Sequence, residues 1–310
     1  MSVWVEPLSP VEGRSYLVTG GSRGLGFFTA ARLAAAGAHV TITGRDESRL
    51  QAAARAIRNV PTQVAVRPGA VTTLVMDQSS LGAVATGASQ LMDTAPLDGL
   101  ILNAGMVHTP RKRVESVDGN ELVLATNVLG HIALVGHLVR HLADNARIVS
   151  LGSLSTRLVP VRADDLQLTG WYHWGQAYAQ SKILTEAFGF ELHRRLTAAG
   201  SDVSSIVAHP GYSLSGRTPR VAGVNEPSRT ARFVDSLQAA ITQGKHLGAE
   251  PIVHAAVGAD VESGDYWGPS GLVKGRPVRQ RPTSQVLNPA LGAAIWALGE
   301  AAAGFEISVD

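Results

Sequence analysis

The chain has 310 residues, of which 45% are apolar and only 5% aromatic, with 33 glycines and no cysteine. That length and apolar share allow a sizeable buried core, the small residues favour many short strand and helix units over an aromatic-rich β-sandwich, and the lack of cysteine excludes disulfides and thiolate metal sites. A formal net charge of +2, without a run of basic residues, argues against nucleic acid as a partner.

Residues 1–14 carry Glu6 and Glu12 and lack the apolar core and cleavage signal of an export peptide, so a cytoplasmic protein is expected. From Ser15 onward, short apolar runs alternate with helical periodicity. A strand at 16–18, a glycine turn, a helix over 27–36 and a strand at 39–43 make a βαβ unit. The theme repeats with a helix over 47–58, a short segment at 63–66, a strand at 73–76, a helix over 81–92 and a strand at 99–102. The apolar stretch 122–142 is broken by Asn127, His131, His137, Arg140 and His141, and so reads as a buried helix, not a membrane span. A strand at 147–151, a helix over 178–199 and a strand at 203–208 follow.

After Pro210, the turn formers Ser213, Gly216, Pro219, Gly223 and Pro227 mark a candidate flap. A helix is predicted over 228–242, a β run at 252–255 is expected to extend the sheet, and 289–303 reads as a terminal helix. Lys274, Arg276, Arg279 and Arg281, interleaved with Pro277 and Pro282, read as a solvated loop. Parallel strands with long crossovers predict an α/β, Rossmann-type doubly wound domain: a mostly parallel sheet of about seven strands with helices on both faces. With no repeat or linker, the chain is expected to be one domain. Its core spans 14–258, its substrate loops 154–177 and 212–230, and its C-terminal extension 259–310. Ligands of such sheets collect beyond the carboxyl ends of the strands.

Thr19-Gly20-Gly21-Ser22-Arg23-Gly24-Leu25-Gly26 lies between the first strand and the first helix. Glycines at 20, 24 and 26 allow a tight turn and close approach of a pyrophosphate to the free N–H groups of the helix start. The second strand ends in Thr43-Gly44-Arg45, without the acid that accepts from a ribose 2′-hydroxyl. Arg45 and Arg23 suit a 2′-phosphate, and hence NADP(H). The alternative is that Arg45 is a surface residue pairing with Asp46 or Glu47.

These motifs, with Asn103-Ala104-Gly105, Asn127, Ser153, Tyr178 with Lys182, and Pro210-Gly211, occur in the order found in short-chain dehydrogenases/reductases, which the chain resembles over roughly residues 14–215. Tyr178 and Lys182 are four apart on a predicted helix and share a face, so the ammonium can lower the phenol pKa. By this resemblance Tyr178 would exchange a proton with the reacting oxygen and Lys182 would also hold the nicotinamide ribose. Ser153 would hydrogen-bond that oxygen, and Asn127 would anchor a water linking Lys182 to solvent. The cofactor site would comprise Gly20, Ser22, Arg23, Gly24, Leu25, Gly26, Arg45, Asp77, Gln78, Asn103, Ala104, Gly105, Tyr178, Lys182, Pro210, Gly211, Tyr212 and Ser213, with Asp77 at the adenine amino group. No metal site is implied.

Two departures stand out. The serine before the tyrosine sits in Ser150-Leu151-Gly152-Ser153, which leaves Ser150 and Ser155 as alternatives, and Ser215 stands where a threonine is usual. The 25 residues from Ser153 to Tyr178 include Trp171, Tyr172 and Trp174, an arrangement similar to the retinol dehydrogenase and protochlorophyllide reductase-like branch with its bulky, lipophilic substrates. Those aromatics either wall a substrate cleft or seal the surface. His131 and His209 read as packed residues rather than ligands.

The resemblance implies an NADP(H)-dependent oxidoreductase acting on a carbonyl or alcohol. The alternatives are a redox-neutral dehydratase, epimerase or cyclase, or an NADP(H)-sensing protein. It also implies a homodimer or homotetramer through the helices starting near Glu121 and Tyr178.

Overall fold

The computed structural model describes residues 8–60, 66–67 and 69–309. The segment predicted at 63–66 lies, except for Val66, outside them.

Strands β1 (Ser15–Val18), β2 (His39–Gly44) and β3 (Val71–Val75) alternate with helices α1 (Gly24–Ala35), α2 (Glu47–Arg58) and α3 (Leu81–Met92). β4 (Leu97–Leu102) leads to a long helical stretch: α4 (Leu122–Leu124), a π-helical turn (Ala125–Leu129), α5 (Gly130–Leu138) and a 3-10 turn (Val139–His141). Then come β5 (Leu142–Leu151), α6 (Trp174–Ala198) and β6 (Ser204–Ala208). The flap contributes β7 (Ser213–Leu214), α7 (Arg229–Leu237), β8 (Gln243–Gly244) and α8 (Lys245–Gly248). α9 (Glu250–Val257), β9 (Tyr266–Pro269), β10 (Pro277–Arg279) and α10 (Pro289–Ala303) complete the chain.

Among the described residues the main sheet has eight strands, in the order β10-β9-β6-β5-β4-β1-β2-β3. Only the β9/β10 edge pair is antiparallel, so seven strands run parallel. Parallel strands are covered on both faces. One core joins the sheet to α3, α5, α6 and α10, and the other joins it to α1, α2 and α9. The strand order reverses between β1 and β4, which opens the crevice where ligands of this architecture bind.

Local sequence explains the element ends. Asp46 and Ser80 cap α2 and α3 by accepting from the N–H groups of Arg49 and Ala83, and Gly304 ends α10 in the left-handed conformation at φ 79°. The stretch Leu122–His141 is apolar and long enough to span a membrane, but 78% of its most apolar window is buried inside the fold.

Several expectations are corrected. Residues 252–255 are not a strand but the middle of α9, which opens at Glu250-Pro251 and buries Ile252, Val253, Ala255 and Ala256. A short apolar run cannot by itself distinguish a buried strand from a buried helix. The sheet is extended instead by β9 and β10, from the segment expected to lie outside the core. The helix predicted over 228–242 stops at Leu237, and β5 begins five residues earlier than 147. α10 packs along α5 and α6, the two helices expected to supply a subunit contact: Trp296 stacks on Phe188 with ring centroids 5.8 Å apart, and Phe305 and Ile307 abut Gly136.

Candidate active site

The glycine turn is locked by contacts that exclude side chains. Gly20 (φ 66°) and Gly24 (φ 63°) are left-handed, and a Cβ on Gly26 would collide with the Asn103 amide. The Thr19 hydroxyl accepts from the N–H groups of Asn103 (2.9 Å) and Ala104 (2.8 Å) and faces His131 Nε2 at 3.0 Å. His131 Nδ1 lies 3.0 Å from the Asn127 carbonyl, so it carries the proton and Nε2 accepts from Thr19. Burial holds this imidazole near pKa 3, neutral at any physiological pH. A chain of bonds thus ties the glycine turn and Asn103-Ala104-Gly105 to the π-helical turn that carries Asn127, and His131 is packed as expected.

Arg23 caps α1 in an extended conformation and offers no side-chain acceptor, so the helix start has no side-chain partner from its cap. Beside it, Ser22, Arg23, Arg49, Gly223, Val224 and Glu226 line a cleft of about 260 Å³. Arg49 was not singled out from the sequence, although it lies one turn past Arg45. Arg45 is exposed and does not line this cleft, and Asp46 pairs with Arg49 at 3.2 Å. The carboxylate of Glu226 is already engaged by Arg220 at 2.9 Å. Asp77 Oδ1 accepts from the Ser79 N–H and hydroxyl. The adjoining Gln78 is 6% exposed, and neither atom of its amide has a partner among the described residues. An orphaned buried amide next to Asp77, with the open glycine turn and the arginine-lined cleft, fits an adenine dinucleotide.

On the far side of the crevice, Ser153 begins where β5 ends. Its hydroxyl accepts from the Ser155 N–H (3.2 Å), lies 3.1 Å from the Ser155 hydroxyl and is close enough to the Tyr178 phenol to lower its pKa. Ser150 is fully buried with no partner for its hydroxyl among the described residues, so the three candidates resolve: Ser153 meets Tyr178, Ser155 supports it and Ser150 belongs to the core.

Lys182 is 5% exposed, and its Nζ donates to the Leu151 carbonyl at 2.8 Å. Burial lowers its pKa to about 8, while Glu186 pulls it upward. The expectation that Lys182 lowers the Tyr178 pKa is not met: burial raises the phenol, and only Ser153 lowers it. The ammonium is turned toward the β5 carbonyl.

The Asn127 side chain is fixed by three hydrogen bonds. Its Oδ1 accepts from the Met106 N–H (2.7 Å), and its Nδ2 donates to Ser181 Oγ (2.9 Å) and the Met106 carbonyl (3.3 Å). Both amide protons are engaged, so the side chain fastens the loop after β4 to α6.

Pro210-Gly211 is pinned from several sides. Gln243 Nε2 donates to the Pro210 carbonyl, as does Ser213 Oγ, and Gly211 (φ 63°) donates its N–H to His209 Nδ1. His209 Nε2 therefore carries the proton and meets Gln280 Oε1 at 3.0 Å, a packed residue with its pKa lowered to about 4 by burial. The Tyr212 phenol bonds Gln238 in the flap, and Ser215 lies half-buried within it.

Trp174 opens α6 one turn before Tyr178 and is 53% exposed, while Trp171 stacks on His173. Tyr172 packs inward with Val123, Leu168, Ala177 and Met106. The loop aromatics therefore divide, with Tyr172 packed inward and the two tryptophans exposed. A phenol beside a serine that lowers its pKa, one turn from a buried lysine and across from a phosphate-ready turn, is suited to proton exchange with a carbonyl or alcohol oxygen.

Residues 14–221 match the family model for short chain dehydrogenases. Mouse retinol dehydrogenase 14 is 32% identical over 268 residues, covering 83% of this chain and 78% of its own. Human retinol dehydrogenase 13 is 30% identical, with 89% and 82% covered. Human polyprenol dehydrogenase is 32% identical over 67% of this chain, and the match spans 63% of that protein's length. Among solved structures, an uncharacterized protein from Mycobacterium paratuberculosis superposes with TM-score 0.78 at 30% identity, covering 97% of each chain. A Burkholderia cenocepacia short chain dehydrogenase in complex with NADP gives 0.60 at 25% identity, over 80% of this chain and 92% of its own.

Proposed function

Because this chain belongs to the short-chain dehydrogenase/reductase family, in its retinol dehydrogenase-like branch, and takes NAD(P)(H), we propose that it is an NADP(H)-dependent oxidoreductase acting on the carbonyl or alcohol of a bulky, lipophilic substrate. The observation that carries this reading is Ser153 beside the Tyr178 phenol, whose pKa it lowers, with Lys182 one helical turn away.

The bound dinucleotide supplies the hydride. The protein's residues do the rest in the reductive direction: Ser153 and Tyr178 hydrogen-bond the substrate oxygen, and the Tyr178 proton passes to it as the carbonyl carbon is reduced. Lys182, charged at neutral pH and turned toward the Leu151 carbonyl, would hold the nicotinamide ribose beside the phenol. In oxidation the same atoms work in reverse. Preference for NADP(H) is supported by Arg23 and Arg49 in a cleft whose one carboxylate is neutralised by Arg220, and by the NADP complex of the Burkholderia relative. A lipophilic substrate is supported by exposed Trp171 and Trp174, by exposed Phe233 and Leu237 on the flap helix, and by the names of the retinol and polyprenol relatives.

The test is NADPH oxidation with long-chain prenyl aldehydes and bulky ketones, with NADH as control and alcohol product quantified. One NADPH consumed per alcohol formed, with NADPH favoured about tenfold or more, is expected. Product formed without net NADPH consumption would overturn the redox assignment.

A further inference from the structure

The segment after Pro210 leaves the sheet, pairs β7 with β8 in parallel and returns so that α8 rests on the start of α1. Its seat is tight: a Cβ on Gly248 would collide with Ser213 and lie 3.1 Å from Leu25. Lys245 opens α8, and its N–H donates at 2.8 Å to the hydroxyl of buried Thr218, which in turn donates to the Leu214 carbonyl at 2.7 Å.

The Lys245 side chain runs over the glycine turn. A Cβ built on Gly24 would lie 3.6 Å from Nζ and 3.8 Å from Cδ, the only atoms of another segment within 4 Å of it among the described residues. The half-buried ammonium makes no hydrogen bond or ion pair among the described residues. Burial and the charge of Arg23 both disfavour its protonation, and Asp235 offsets them only through the longer-range field. Two cations and an uncapped helix start therefore converge on one spot with no anion between them, an arrangement that is unfavourable until an anion enters.

We propose that Lys245 is a ligand of the cofactor's diphosphate, delivered to the glycine turn by the flap. The inference rests on the dinucleotide reading above and adds to it a cation from outside the resemblance's motifs. The 2′-phosphate is not its target, because Lys245 does not line the cleft formed by Ser22, Arg23 and Arg49.

Binding of ADP-ribose, NADPH and NADH to the full chain, measured by titration calorimetry, tests it. ADP-ribose keeps the diphosphate and lacks both the 2′-phosphate and the nicotinamide. Lys245→Met should raise Kd for all three by a common factor of about ten, and Lys245→Arg should restore most of the affinity. The ligand-free Met variant should melt no lower than the wild type, since a half-buried unpaired charge has been removed. Unchanged ADP-ribose binding overturns the proposal, as does a loss confined to NADPH, or a lowered ligand-free Tm with no recovery in the Arg variant. Wild-type protein that binds none of the three sinks the functional reading as well, whereas intact wild-type binding unaffected by Lys245→Met sinks the proposal alone.

Discussion

The main-chain N–H of Ser153 donates to Oε1 of Glu186 at 3.0 Å, so the serine that meets Tyr178 is suspended from a carboxyl group with no solvent exposure. The same oxygen faces the Tyr266 hydroxyl at 3.3 Å, and Oε2 has no partner among the described residues. Burial raises the Glu186 pKa to about 7, against the hydrogen bonds from Ser153 and Tyr266 and the charges of Lys182 and Arg157. Glu186 in turn holds the Lys182 pKa up.

Glu186→Gln keeps an acceptor for Ser153 and removes the charge. Because the native carboxyl binds its proton more readily than the unfolded chain does, its stabilising contribution is full below the ordinary value of 4.5 and is lost as pH rises through about 7. The Gln variant should therefore gain on the wild type as pH rises through that window, by at least about 3 °C in Tm. Without Glu186, Lys182 loses its proton more easily, so the alkaline limb of kcat/KM for reduction should move to lower pH. Parallel melting curves and an unmoved limb would show that the carboxyl has no such influence.

Tyr178→Phe should lower kcat by about a thousandfold or more while leaving the NADPH Kd within about twofold, because the phenol oxygen acts on the substrate. Single-turnover rates with pre-bound NADPH check this without interference from product release. A variant that turns over at the wild-type rate would falsify the acid-base role.

Much of this site was legible in the residues alone, for a definite reason. The glycine turn, Asn103-Ala104-Gly105, Ser153 and Tyr178 all sit at strand ends or on a helix face, where local periodicity announces position. The boundaries of α2, α3 and α10 were visible for the same reason, since caps and breakers flank them. What escaped depends on contacts between distant segments. Nothing near Lys245 in sequence points to Gly24, and Glu186 looks like one more polar residue on α6 until the end of β5 is laid against it. The direction of the Lys182 ammonium was hidden too, because spacing places two side chains on one face without saying which carbonyl captures the charge. Strand β9 was missed because it is a Tyr-Trp pair between turns, and α9 was misread because Ile252 and Val253 suit either conformation.

Arg49 should matter more than Arg45 for the choice of cofactor, since it lines the cleft beside Arg23 and Arg45 does not. Arg49→Ala should raise the NADPH Kd about tenfold and leave NADH within about twofold, whereas Arg45→Ala should change both little. Equal losses for the two dinucleotides would place Arg49 away from the 2′-phosphate.

Trp174 lies four residues before Tyr178 on the same helical face and is largely open to solvent. If it walls the substrate path, Trp174→Ala should reduce kcat/KM for a long prenyl aldehyde by roughly tenfold, mostly through KM, and spare a short aldehyde. A uniform drop across chain lengths would indicate a disturbed helix start instead.

Part of the surface of α5 and α6, the helices expected to supply a subunit contact, is covered by the chain's own α10. Trp296 is 1% exposed, stacked on Phe188 with the Arg195 guanidinium 4.1 Å from its ring, and Gly299 allows α10 to approach Ile132 closely. Removing the indole alone should destabilise the fold by about 3 to 5 kcal/mol. The chain should therefore sediment as a monomer of 32.4 kDa, and Trp296→Ala should lower Tm and promote self-association through the uncovered apolar face. A wild-type dimer cross-linked through α5 or α6 at micromolar concentration would show that α10 leaves enough of that surface free.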